Sequence, residues 1–155
     1  MMTNQGWLGK SWRHFIVPFI GPILFKIDKM RRFAFSTISQ IRIEYRASVL
    51  SEGNVDEIHA GDRLPWVRQE QGDNYTPLKS LQWQIHVYGT LDDKLLSAAE
   101  IYEIDVQVFT WNKAAEKAKL MQNAVYFIRP DGYIGFASKD QTTLAFETYC
   151  KAVFL

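Results

Sequence analysis

The stretch AVYFIRPDGYIGFAS, residues 124–138, joins two apolar runs through Arg-Pro-Asp-Gly, and its reading decides the fold. The first run, AVYFIR, is apolar at nearly every position, as a strand covered on both faces requires. Pro130 presets φ at the first turn position, Asp131 can bond back to the backbone, and Gly132 accepts a positive φ. A hairpin loop of three to five residues closing with a bulge is predicted. The turn makes no demand on Arg129, which is left as a candidate for an interface salt bridge.

Working outward, LQWQIHVYG (81–89) reads as a strand and DDKLLSAAEIY (92–102) as a helix. EIDVQVF (103–109) alternates Ile104, Val106 and Val108 with Asp105 and Gln107, as a strand wet on one face does. NKAAEKAKLM (112–121) is a helix with Asn112 placed to cap it. A final helix from about residue 139 shows Ser138 and Gln141 at capping-box spacing and an apolar face of Phe146, Tyr149, Cys150 and Val153. The resulting order over 81–155, β-α-β-α-β-β-α, is an α/β arrangement of thioredoxin-like type. It implies parallel pairing through right-handed crossovers, with the hairpin as an antiparallel edge.

Upstream, Ile23, Ile27, Met30, Ala34 and Ile38 form a stripe at helical spacing, with Pro22 suited to the first turn. The period then changes to two through Ile41, Ile43 and Tyr45, predicting a strand. Residues 49–80 are rich in turn signals (EGNVDE, HAGDRLP, QGDNYTP) and read as a connecting region. The chain therefore divides into an amphipathic helical arm plus strand (1–48), a connection (49–80) and a body (81–155).

With 155 residues, 47% hydrophobic and 14% aromatic, the chain suffices for one real core. The net charge of +1 hides an asymmetry: residues 1–48 hold eight Lys or Arg against Asp28 and Glu44, and the remainder holds ten against fifteen acids. Nucleic acid is not expected as a partner, because the body has no Lys/Arg-rich run interleaved with aromatics. FIVPFIGPILF (15–25) is too short to span a membrane and is interrupted by Pro18, Gly21 and Pro22. A basic amphipathic arm lying on anionic lipid is the peripheral-membrane alternative. Cys150 is the only cysteine, so no intramolecular disulfide forms and a cytoplasmic location is the default.

The common chemistries each lack a part. A redox thioredoxin needs an activated thiolate after its first strand, where this chain reads YGTLDDK, and a proline before the hairpin strand, where it reads MQNAVYF. Cys150 near the end of the last helix reads as a packed thiol. The glycines never form Gly-x-Gly-x-x-Gly, so no Rossmann-type FAD site is built. His14, His59 and His86 are too scattered for a zinc signature, and no Gly-x-Ser-x-Gly elbow is present. Asp62 in HAGDRLPW reads as part of a turn into the body. No catalytic, cofactor-binding or metal residue is assigned.

Three stretches carry a resemblance: SQIRIEYRASVL with Tyr45, Arg46 and Ser48; HAGDRLPWV with Ala60, Gly61, Asp62, Arg63 and Pro65; and VYFIRPDGYIGFAS with Arg129 to Tyr133. In that order they resemble the C-terminal part of FAD-dependent aromatic hydroxylases of the phenol hydroxylase type, over roughly residues 20–155. The resemblance implies a thioredoxin-like domain without redox cysteines that serves packing and dimerisation. The family's use of FAD, NAD(P)H and O₂ depends on a flavin domain whose motifs are missing here, so those cofactors are expected only with a flavin-bearing partner. The arm residues Phe15, Phe19, Phe25, Phe33 and Phe35 are then expected to pair with a second copy, as a homodimer, or with a separate flavin-bearing chain. The enzyme alternative is a split monooxygenase whose active site this chain completes in trans.

Overall fold

Along its central strands the chain sends apolar side chains to both faces of a sheet, so both faces must be covered. The computed structural model describes residues 43–154. The expected helix over 23–38 and the candidates Phe15, Phe19, Phe25, Phe33 and Phe35 lie outside the described residues. Within them the elements are β1 (Glu52–Val55), β2 (Ile58–His59), β3 (Arg68–Gln69), β4 (Gly72–Asp73), a 3₁₀ turn (Pro77–Ser80), β5 (Gln84–Tyr88), α1 (Asp93–Ile101), β6 (Asp105–Phe109), α2 (Lys113–Lys117), β7 (Val125–Ile128), β8 (Ile134–Ser138) and α3 (Thr143–Phe154). The expected α/β alternation is present from β5 onward.

Six strands form one mixed sheet in the order β2-β1-β8-β7-β5-β6, and β3 and β4 form a separate hairpin. β5 pairs in parallel with β6, from Gln84 opposite Asp105 to Tyr88 opposite Phe109, and antiparallel with β7. β7 and β8 are antiparallel, while β1 runs parallel to β8. This corrects two expectations. β7 enters the sheet antiparallel to its neighbour β5, and the hairpin is not an edge, because β1 and β2 cover β8. The stretch read as a connecting region thus contributes two strands to the main sheet.

Ile85, Val87, Val125, Phe127 and Phe136 pack on one face beneath α1 and α3, against Leu95, Ala98, Phe146, Tyr149 and Cys150. Tyr88, Tyr126, Ile128, Ile134 and Ala137 pack on the other beneath α2 and the 58–67 segment, against Ile58, Leu64, Val67, Ala115 and Leu120. All four residues of β7 are buried, as its apolar run predicts. Ile134 and Phe136 reach opposite faces because the register shifts: Phe127 faces Phe136 and Ile128 faces Ile134, leaving Gly135 as the extra residue of a β-bulge.

The helix ends follow local chemistry. Asp92 accepts from the Lys94 N–H at 2.7 Å, and Asn112 from the Ala114 and Ala115 N–H groups at 2.9 Å. α1 and α2 both stop on a left-handed residue, Glu103 (φ +54°) and Lys119 (φ +66°). Ile104 N–H then reaches back to the Ala99 carbonyl and Leu120 N–H to the Ala115 carbonyl, in Schellman closures. That closure ends α2 before the expected 121. Residues 43–46 are not a strand: Tyr45 N–H bonds to the Gly61 carbonyl, and the Ser48 N–H bonds back to Tyr45 in a turn.

Candidate functional site

The three stretches that carry the resemblance meet in space. The Arg-Pro-Asp-Gly turn closes as its residues demand: Gly132 N–H donates to the Arg129 carbonyl (2.9 Å), Arg129 N–H to Tyr133 (2.8 Å), and Asp131 accepts from the Tyr133 N–H (3.2 Å), with Gly132 at φ +81°. Residues 61–64 lie alongside it, with Gly61 N–H to the Ile134 carbonyl (2.7 Å), Ile134 N–H to Asp62 (2.9 Å) and Leu64 N–H to Gly132 (3.0 Å). Tyr45 N–H closes the third side on the Gly61 carbonyl at 2.8 Å. Gly61 has φ +92°, and a Cβ there would overlap the backbone of Tyr45 and Arg46. This close approach requires glycine.

Side chains lock the junction. Arg46 forks onto Asp62, Nε to Oδ1 at 2.7 Å and Nη2 to Oδ2 at 3.1 Å, while the His59 N–H donates to Oδ2 at 2.9 Å. The Tyr45 ring meets the Tyr133 ring edge-on at 4.9 Å. Arg63 lies over Tyr133 at 5.8 Å, and Arg129 over Tyr45 at 6.0 Å. Arg129, the interface candidate, also pairs with Asp131 at 2.6 Å and is 16% exposed. Ser48 Oγ accepts from the Leu50 N–H and the Pro65 carbonyl from Asn74 Nδ2. A carboxylate held by three donors ties the 45–46 turn to the 59–62 segment as a clamp.

The two loops where a redox site would be sought also come together, and neither Gln141 nor Asn123 was singled out for this role. Asn123 Oδ1 accepts from the Thr90 N–H (2.8 Å), and Gln141 donates to the carbonyls of Thr90 (2.7 Å) and Asn123 (2.9 Å) while accepting from the Asp92 N–H (2.7 Å). Gln141 is therefore a staple between loops, and the capping-box reading with Ser138 is corrected: α3 begins at Thr143, and Ser138 Oγ bonds to the Asp140 backbone. Cys150 is buried in the core, where desolvation, with a lesser push from Glu147, raises its thiol to about 12.

A buried polar column anchors the 64–80 segment. Asn74 donates to Tyr88 Oη (2.7 Å) and accepts from the Val67 N–H (2.8 Å). His86 Nε2 meets Gln84 Oε1 at 2.9 Å, and Gln84 donates to the Pro77 carbonyl at 3.2 Å. Burial depresses the His86 imidazolium to about 3, so the ring is neutral in the fold. His59 is partly exposed beside Asp62. Among the described residues no group of three or more His, Cys, Asp or Glu is placed to hold a metal ion, and no helix is long and apolar enough to cross a membrane.

No protein-family model matches the chain, and no curated protein matches it by sequence. Solved structures do. The chain is similar to the OxyS anhydrotetracycline hydroxylase from Streptomyces rimosus, with TM-score 0.57 and 17% identity, over 92% of this chain and 29% of that one. It is similar to CabE, an aromatic hydroxylase from angucycline biosynthesis, with TM-score 0.50 and 18% identity, over 79% of this chain and 25% of that one. It is also similar to the rebeccamycin biosynthetic enzyme RebC, solved with reduced flavin, with TM-score 0.51 and 18% identity, over 96% of this chain and 28% of that one. The chain spans between a quarter and three-tenths of these proteins, and at these identities the likeness is one of fold: the fold is one that aromatic hydroxylases contain.

Proposed function

We propose that this chain is a thioredoxin-like association module of the kind that ends flavin-dependent aromatic hydroxylases, acting by packing on a partner rather than by chemistry of its own. The observation that carries the reading is the convergence of Tyr45–Arg46, Gly61–Arg63 and Arg129–Tyr133 into one closed clamp. Stretches far apart in sequence that resemble one family touch one another, and Arg46, Asp62, Arg129 and Asp131 are engaged with one another's segments or their own turn. The strand order β6-β5-β7-β8, with β5 and β6 parallel and the rest antiparallel, supports the thioredoxin-like assignment.

A second reading draws on the fold likeness to hydroxylases such as OxyS and CabE: the chain works as one subunit of a split flavin monooxygenase. The two readings separate on a tagged full-length chain recovered from its native host. Packing on a flavoprotein predicts a co-eluting chain that carries flavin absorbance, and substrate-dependent NAD(P)H oxidation that requires both chains selects the split enzyme. Isolated chain that retains FAD through gel filtration would sink the module reading.

A further inference from the structure

Beside the start of β5, the end of α1 and the last turn of α3, an open cleft of about 340 Å³ is lined by Trp83, Tyr102, Ile104 and Phe154 together with Glu103 and Asp105. Its aromatic walls are fixed from behind. Trp83 meets Phe154 edge-on at 5.4 Å and leans on the buried Phe127 at 4.9 Å, while Tyr102 packs on Phe146 at 6.2 Å. Glu103 is pinned as the left-handed residue that closes α1, and Asp105 opens β6. Both carboxylates are exposed, and among the described residues they form no ion pair and no Lys or Arg lines the cleft. The carbonyl end of α1 adds its own negative field at the same place.

We propose that this cleft seats an arginine side chain of a partner protein. The charge complementarity is specific in kind: a guanidinium stacks on aromatic faces and forks onto carboxylates, and its three-carbon stem lies along apolar walls such as Ile104 and Phe154. A hydrated metal ion would leave the apolar walls unused. A protein source is indicated by apolar exposure beyond the cleft: Leu81 (68%) and Ile101 (76%), adjacent in sequence to Gln82 and Tyr102 of the lining, present surface that a free amino acid would leave uncovered. The inference deepens the association reading by naming a partner chemistry, and it does not require the partner to carry flavin.

The test is a nitrogen-15 NMR titration of the full chain with Nα-acetyl-arginine amide, and in parallel with the uncharged isostere Nα-acetyl-citrulline amide. The expected result is saturable shifts at the Trp83 indole and at the Glu103, Ile104 and Asp105 amides with the arginine probe alone. The E103Q/D105N double variant should weaken them at least tenfold, and raised salt should weaken them in the unmodified chain, which needs no variant to fold. Equal response to the citrulline probe, shifts confined to other regions, or indifference to salt would overturn the proposal. Because the assay uses the isolated chain, its failure is distinguishable from failure to find a flavoprotein partner.

Discussion

Arg46 grips the Asp62 carboxylate with two hydrogen bonds, at 2.7 and 3.1 Å, across sixteen residues of sequence. The Asp62 side chain is 15% exposed and also holds the His59 N–H. Asp62→Ala is therefore expected to cost more than Arg46→Met, because it also removes the acceptor of the part-buried His59 N–H, whereas the exposed guanidinium is left to water. Urea denaturation of both single variants and the double variant checks this. The double should be less destabilised than the sum of the singles; strict additivity would mean that the fork contributes nothing.

Tyr149 and Gly135 test the bulge. The Tyr149 hydroxyl donates to the Leu50 carbonyl at 2.8 Å, and a Cβ on Gly135 would overlap that hydroxyl. Gly135→Ala should destabilise by about 1–3 kcal/mol through overpacking. Tyr149→Phe should cost about 1 kcal/mol alone. In the Gly135→Ala background, removing the hydroxyl relieves the closer of two overlaps, the other being with the Trp83 ring, so thermal melts should show Tyr149→Phe costing less than it does alone.

His86 makes the fold acid-sensitive. Its folded pKa is depressed to about 3 from 6.5, so below 6.5 the unfolded chain binds a proton that the folded chain resists. The contribution is fully present above pH 6.5 and is lost progressively as pH falls toward 3. The urea midpoint should fall between pH 7 and pH 4, and His86→Gln should flatten that fall. An unchanged slope in the variant would assign the acid sensitivity elsewhere.

Glu103 carries a conformational cost at φ +54° that glycine does not. Glu103→Gly is expected to raise stability by about 0.5–1 kcal/mol in chemical denaturation. The same variant should weaken binding of the arginine probe, so stability and binding move in opposite directions.

Gln141 holds three backbone groups in two loops. Gln141→Ala should cost about 1–2 kcal/mol. Hydrogen exchange at Asp92 should accelerate well before the exchange of β5 and β7, since only the loops lose their tie.

What was legible in the sequence is what is decided locally. Pro130, Asp131 and Gly132 specify their turn by their own backbone chemistry, and the unbroken run at 125–128 announces a strand covered on both sides. β1 was not legible: Glu-Gly-Asn-Val is short and largely exposed, and its place comes from parallel pairing with Phe136 and Ala137, more than eighty residues away. Tyr45 kept a strand-like alternation, yet its partner is a ring on Tyr133 rather than a neighbouring strand. Gln141 had cap-like spacing, and the nearby Thr90 and Asn123 carbonyls won it instead. The cleft had no sequence signal, because Trp83, Tyr102 and Phe154 meet only through the sheet and its covering helices.

The central claim is that this domain works by association. Multi-angle light scattering on a dilution series of the tagged full chain, alone and as recovered from its host, tests it most directly. The account predicts a species of at least twice the 18.0 kDa chain mass, or a complex with a flavin-bearing protein. The mass of one tagged chain at every concentration, with no partner retained, would contradict it.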